Sequence, residues 1–150
     1  MTNNKFMLAA LKEAEKAREL GEIPIGCVIV YNDKIIARGH NLRETKNSPT
    51  AHAEIIAIEK AAKKLNSWRL LDTTMYITCE PCTMCSGAII NARIPKVIYG
   101  CKDPRFGAHV SLTNIFDNKY NHTVDISGGL LEERCSELIK SFFKDLRNKN

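Results

Sequence analysis

The sequence has no hydrophobic run long enough to cross a membrane. Its longest apolar stretches, residues 7–11 and 25–31, fall far short of the roughly 20 residues that a spanning helix needs. The N-terminal segment mixes lysine and glutamate with short apolar stretches, and it lacks the continuous apolar region and small-residue cleavage site of a signal peptide. These absences predict a cytoplasmic protein with no membrane partner.

Linkers, repeats and low-complexity segments are also absent. The 5 prolines and 8 glycines mostly stand singly between periodic segments, which predicts a single domain over residues 1–150. A domain of this size buries roughly 68 to 70% of the surface that its unfolded chain exposes, so a metal is not needed merely for stability. The net charge of +5 permits a polyanionic partner without requiring one.

Cysteine is the residue type with an unusual distribution. The 6 cysteines of this chain favour metal ligands, reactive thiols or small core residues over a disulfide framework, given the predicted intracellular location. Three of them cluster at Cys79, Cys82 and Cys85. Any specific chemistry is expected near this cluster.

Hydrophobic periodicity predicts alternating helices and strands. A first helix is expected from about residue 4 until the glycine at 21, and the runs 25–31 and 34–38 predict an antiparallel hairpin around Asn32 and Asp33. A second helix is expected to begin near His52, with Thr50 as its N-cap. The segments 74–78, 81–91 and 96–100 predict a β-α-β crossover with Pro81 in the first helical turn. A short helix (112–117), a strand (122–126) and a terminal helix (130–147) complete an α/β fold, a three-layer α/β/α sandwich with a central five-stranded mixed sheet.

Four residues near two predicted helix starts form a candidate site. Cys82 and Cys85 are three apart, so both thiolates project from one helix face, and the first turn of a helix favours the thiolate form. His52 and Glu54 are two apart and would diverge on the side of a regular helix, but both can reach past its open N-terminal end. The spacing therefore predicts two helix N-termini that face one metal.

One histidine and two cysteines leave the fourth position of a tetrahedral zinc free for water, as in catalytic rather than structural sites. Glu54 is then available to take a proton from that water and to deliver it to a ring nitrogen and a departing amine. This chemistry is hydrolytic deamination.

The segments His52-Ala53-Glu54 and Pro81-Cys82-Thr83-Met84-Cys85 match the signature of the zinc-dependent nucleobase deaminases. Beyond that signature the chain resembles, nearly end to end, the bacterial tRNA-specific adenosine deaminases (TadA family) of the cytidine/deoxycytidylate deaminase superfamily. The resemblance is carried by residues 22–28, 39–41, 49–54, 67–70, 79–88, 91–95, 99–100 and 141–143. It implies a cytidine deaminase-like fold, one Zn²⁺ per chain, a homodimer, and conversion of the wobble adenosine of an arginine tRNA anticodon stem-loop to inosine.

By the same resemblance His52, Cys82 and Cys85 are the metal ligands and Glu54 is the proton shuttle. It also implies that Asn41, Asp103, Phe142 and Phe143 contact the substrate. The chain departs from the usual family pattern at Ser48 and Val110. Apolar positions around Ile89 and Ile90 are candidates for the dimer interface.

Two other functions remain open from the sequence. A deaminase of a free base or nucleoside, such as guanine or cytosine, shares the metal signature. The predicted short helix 112–117 makes the last two strands parallel, which favours the branch of the deaminase superfamily that acts on RNA and purines. A non-enzymatic RNA-binding module could instead close a structural zinc with Cys79, Cys82, Cys85 and Cys101. That alternative leaves His52 and Glu54 without a role.

Overall fold

The computed structural model describes residues 4–149. Within that range the chain forms four α-helices, one short 3₁₀ helix and five β-strands. In chain order these are α1 (Asn4–Glu19), β1 (Gly26–Tyr31), β2 (Lys34–His40), α2 (Ala53–Leu65), β3 (Thr73–Cys79), α3 (Thr83–Asn91), β4 (Lys96–Cys101), the 3₁₀ helix (Ile115–Asp117), β5 (Asp125–Ser127) and α4 (Glu132–Asn148). None of these helices is long and apolar enough to span a bilayer.

The five strands form one mixed sheet in the order β2-β1-β3-β4-β5. Strand β1 is antiparallel to β2 and β3, whereas β3, β4 and β5 run parallel. The predicted hairpin turn is present, because Asn32 and Asp33 both adopt positive φ (51° and 60°), the backbone of a two-residue type I′ turn. The predicted parallel pairing of the last two strands is confirmed.

The last strand lies later in the chain than the sequence pattern predicts, at 125–127 rather than 122–126. The preceding segment contacts the connection between α3 and β4 instead, since Nε2 of the His122 ring donates to the carbonyl of Ile94 at 2.7 Å. Pairing with the sheet region begins where the backbone N–H of Asp125 donates to the carbonyl of Pro95.

Successive residues of β1 point to opposite faces of the sheet and so supply two separate cores. Cys27 and Ile29 pack with the apolar residues of α2 and α3 on one face. Val28 and Val30 pack on the other face with α1 and with Cys135 of α4. This arrangement is the predicted three-layer α/β/α sandwich.

The prediction that Ile89 and Ile90 form a dimer interface is wrong for both side chains. They are 0% and 7% exposed and belong to the core between α3 and the sheet. The sequence pattern shows that these positions are apolar, but it cannot separate an intramolecular core from an intermolecular contact.

Gly26 permits the close packing of α1 on the sheet, so a larger residue there should destabilise the protein. A Cβ at Gly26 would overlap the backbone of Ala10 and Ala14, whereas a Cβ at Gly87 on α3 would meet nothing within 4 Å. We expect Gly26→Ala to lower the free energy of unfolding by roughly 1–3 kcal/mol through overpacking. The matched Gly87→Ala should raise it by about 0.5–1 kcal/mol, because alanine favours a helix more than glycine does. Urea denaturation of both variants measures the difference, and equal midpoints would contradict it.

Candidate active site

The candidate site lies where the N-termini of α2 and α3 meet. His52 is the N-cap of α2 and Cys82 is the N-cap of α3, each with extended backbone (ψ of 156° and 176°). The first helical bonds start there, because the backbone N–H of Ile56 donates to the His52 carbonyl and that of Ser86 donates to the Cys82 carbonyl. Neither side chain caps its own helix, so both are available for other contacts.

Two predicted helix starts are therefore corrected. Thr50 lies two residues before the N-cap of α2, and its hydroxyl pairs with that of Ser48 at 3.3 Å. Pro81 precedes the N-cap of α3, and its carbonyl accepts hydrogen bonds from the N–H of Ala108 and the hydroxyl of Ser86. The two predicted helix N-termini do meet, with His52 and Cys82 at their ends; that they share one metal stays a prediction.

The predicted ligand residues lie together. Nδ1 of His52 is 3.7 Å from Sγ of Cys82 and 3.5 Å from Sγ of Cys85, and all three donor atoms lie within 4.8 Å of one another. In a tetrahedral zinc site with ordinary bond lengths, nitrogen and sulfur ligand atoms stand about 3.6 Å apart. The two nitrogen–sulfur distances and the donor types thus suit zinc.

Within residues 4–149 this is the one group of histidine, cysteine and acidic side chains close enough to hold a metal ion. Cys79 and Cys101 are not part of it. They are register partners on β3 and β4, and both are buried. The closed four-cysteine site therefore has no support in the structure.

The two cysteines of the cluster differ in acidity. The hydrogen bond from Cys85 lowers the pKa of Cys82 to about 4 against the effect of burial, and the His52 ring lowers it further. The pKa of Cys85 is raised, first by its bond to the Cys82 thiolate and then by burial. One thiolate is therefore already favoured at neutral pH, and thiolates are the sulfur form that binds zinc.

Glu54 is 4% exposed and lies in the first turn of α2, next to this cluster. Burial raises the pKa of Glu54 to about 7, and the negative charge of Cys82 acts in the same direction. A carboxyl group in such surroundings can exchange a proton near neutral pH. This is the property that a proton shuttle needs.

A cavity of about 690 Å³ opens next to the cluster, a size within the usual range of small-ligand sites. His52, Glu54 and Cys82 contribute to its lining. Asn41, Asp103 and Phe143, three of the predicted substrate contacts, line it as well.

Phe142 does not line the cavity. It is 9% exposed and supports Phe143 in a T-shaped ring contact with centroids 5.4 Å apart. The prediction that Phe142 contacts the substrate directly does not agree with this placement.

Glu80 organises one side of the cavity, and the sequence analysis missed it. It is 3% exposed, and its carboxylate accepts hydrogen bonds from the backbone N–H groups of Asp103, His109, Val110 and Ser111 and from the Ser111 hydroxyl. Burial alone would raise its pKa, but these donors lower the pKa to about 2. The available signal was an acidic residue directly after a buried strand.

Another segment that lines the cavity, at Asn41 and Arg43, is held by a second buried carboxylate. Glu22 is 2% exposed and accepts hydrogen bonds from the backbone N–H groups of Glu44 and Thr45 and from the Thr45 hydroxyl, at 3.1, 2.6 and 2.6 Å. The nearby Asn41 side chain donates to the Ile23 carbonyl and accepts from the N–H of Arg43. These bonds fix the loop that leads from β2 to α2.

Glu22 gives a prediction for pH dependence. Burial alone would raise its pKa, but the hydrogen bonds from Thr45 and Glu44 bring it below the ordinary value of 4.5. A lowered folded-state pKa stabilises the protein above the unfolded pKa, and that contribution is lost as the pH falls through the folded pKa. We expect Glu22→Gln to cost roughly 1–3 kcal/mol at pH 7. Denaturation of both proteins from pH 7 to pH 3 should show the difference shrinking below about pH 4.5; a constant difference would contradict this.

Three comparisons relate the chain to known proteins. The model of the MafB19-like deaminase family matches residues 1–147. The chain is 47% identical over 145 residues to a tRNA-specific adenosine deaminase of Bacillus subtilis, and the match covers 96% of this chain and 90% of the relative.

Two solved structures have the same fold. One, from a study of A-to-I editing by tRNA:A34 deaminases at the wobble position of transfer RNA, is 42% identical with a TM-score of 0.88, covering 91% of this chain and 99% of that one. The other, a guanine deaminase of Bacillus subtilis, is 36% identical with a TM-score of 0.65, covering 99% and 95%. Since the identity to this relative extends over nearly the full length of both proteins, the chain belongs to the tRNA-specific adenosine deaminase family, and it also matches the MafB19-like deaminase family model.

Proposed function

We propose that the protein is a zinc-dependent enzyme that hydrolyses adenosine to inosine at the wobble position of tRNA. The observation that carries the proposal is the group His52, Cys82 and Cys85 with the buried carboxylate of Glu54 beside it, at one cavity. One Zn²⁺ per chain would be held by these three side chains, in one deaminase domain over residues 1–150. A zinc ion there supplies a Lewis acid that activates a water molecule.

Glu54 moves the protons of the reaction. Its carboxylate takes a proton from the water that adds to C6 of the adenine and delivers it to N1. When the bond between C6 and the exocyclic nitrogen breaks, the second proton of the water leaves with ammonia, again through Glu54. The balance is adenosine plus water to inosine plus ammonia. Asn41, Asp103 and Phe143 are the proposed contacts that orient the nucleoside.

The surroundings of the cavity support an RNA substrate, which we take to be the anticodon stem-loop of an arginine tRNA. Five basic side chains line it, and such side chains contact phosphates: Arg43, Lys102, Arg105, Lys140 and Arg147. A homodimer and a cytoplasmic location complete the proposal. The six free cysteines agree with a reducing compartment, and sedimentation of the purified protein tests the dimer.

Guanine deamination is the second candidate, because the chain is also similar to a guanine deaminase over nearly its whole length. The basic lining favours RNA, since free guanine carries no phosphate. Both candidates use the same metal residues and Glu54, so only the substrate separates them.

Parallel assays test the proposal. Purified, zinc-loaded protein is incubated with an anticodon stem-loop that carries adenosine at the wobble position, and separately with free adenosine, guanine, cytosine and cytidine. Inosine in the stem-loop, with the free compounds unchanged, is the expected result. Turnover of a free base with an unchanged stem-loop would overturn the assignment of tRNA as the substrate and would leave zinc-dependent deamination as the reaction.

A further inference from the structure

One aromatic side chain at the cavity has no ring or cation partner within residues 4–149. Phe106 lines the cavity, yet 62% of its surface is exposed. Among the described residues, no other aromatic ring and no cation pairs with its ring, whereas Phe143 in the same lining packs against Phe142. A large apolar ring is thus exposed to solvent at the site, and burying it against a ligand would lower the free energy of the complex.

The backbone around Phe106 is fixed rather than loose. The Asp103 side chain accepts hydrogen bonds from the backbone N–H groups of Arg105 and Phe106, at 3.1 and 3.3 Å, and the Asp103 carbonyl accepts from Gly107 at 2.9 Å. Gly107 also forms an isolated antiparallel bridge with Cys82. The backbone of residue 106 is therefore held at a set position, next to Gly107, which is paired with Cys82.

Gly107 further ties this turn to Glu80. A Cβ at residue 107 would overlap the Glu80 carboxylate, which itself holds the N–H groups of Asp103 and of residues 109–111. A loop whose backbone is already ordered loses little backbone entropy when a ligand packs on it. The loop therefore presents Phe106 as a ready contact surface.

The charges around Phe106 indicate the chemistry of that ligand. Arg105, its neighbour in the chain, and four other basic residues line the same cavity, while the carboxylates of Glu54 and Glu80 are buried. Exposed aromatic rings among basic side chains are the pattern by which proteins hold single-stranded nucleic acid, with the bases stacked on the rings and the phosphates near the cations.

We propose that Phe106 is a stacking platform for a base that flanks the target adenosine in the RNA loop. The inference rests on the proposed function and extends it to a second nucleotide. It makes Phe106 a specificity residue, because stacking on a neighbouring base strengthens the binding of a target within an unpaired strand and adds nothing to the binding of a free nucleoside.

The test compares Phe106→Ala, Phe106→Trp and Leu112→Ala. Leu112 is a matched control, since it is 63% exposed in the same loop region but does not line the cavity. Thermal unfolding and zinc content verify that each variant is folded and loaded. For the stem-loop, Phe106→Ala should raise KM roughly 5- to 150-fold, the range that one base–aromatic stack supplies, with kcat changed much less. Phe106→Trp should restore KM, and Leu112→Ala should match the wild type.

A second readout detects the stack directly. The fluorescent base 2-aminopurine is placed on the 5′ or the 3′ side of the target adenosine, and its quenching on binding is measured. We expect the wild type and Phe106→Trp to quench one of the two probes, and Phe106→Ala to leave it bright. The stacking role of Phe106 would be overturned by an unchanged KM and unchanged quenching in Phe106→Ala, or by equal changes of both in Leu112→Ala. Either result would leave the proposed function standing. A wild type that does not edit the stem-loop would overturn the proposed function and the inference together.

Discussion

Glu54→Gln is expected to abolish deamination of the stem-loop while the zinc content stays at one ion per chain. Glutamine keeps the shape of the side chain but can neither accept the proton of the attacking water nor return it. Removing a general acid–base group costs roughly 10²- to 10⁴-fold in rate, and here one group serves several transfers, so the upper end is expected. Glu59→Gln is the matched control, because Glu59 lies exposed on the same helix.

The measurement is the single-turnover rate of inosine formation, with zinc determined by elemental analysis of the same samples. A normal rate in Glu54→Gln would remove the residue from the mechanism. Loss of zinc in that variant would make Glu54 a structural part of the metal site rather than the proton shuttle.

Cys85→Ala is expected to remove both the metal and the activity. Sγ of Cys85 is fully buried and 3.5 Å from Nδ1 of His52, so no solvent-exposed group can take its place without rearrangement. With two remaining ligands, zinc should be lost on dialysis. Cys27→Ala removes an equally buried sulfur on β1 outside the cluster and should keep both metal and activity.

Thermal unfolding with and without a chelator gives an independent readout. A ligand that binds only the folded state stabilises it by mass action. The chelator should therefore lower the Tm of the wild type and of Cys27→Ala, and it should leave that of Cys85→Ala unchanged. Full zinc occupancy in Cys85→Ala would show that another group completes the site.

The elements of the fold were predictable where the signal is local. The helical spacing of apolar residues in α1, the Asn32-Asp33 turn and the β-α-β crossover each depend on neighbours in the sequence, and all three are present. The grouping of His52 with Cys82 and Cys85 was predictable for a related reason. His52 and Cys82 stand at helix ends, where a short motif determines which way a side chain can reach.

Features that depend on contacts between distant segments were not predictable. Glu80 reaches N–H groups 23 to 31 residues further along the chain, and no spacing rule links them. Ile89 and Ile90 were assigned to the wrong contact because an apolar pattern is the same for a core and for an interface. Phe106 could not be distinguished from a core residue until its exposure was known.

The two sides of the cavity come from different parts of the chain. The metal cluster and Glu54 lie within residues 52–85, whereas a large part of the remaining lining comes from residues 102–106 and 139–147. Mutations in the later segments are therefore expected to alter which molecule enters while His52, Glu54, Cys82 and Cys85 stay in place. This separation makes the later segments the place to randomise when a new substrate is sought.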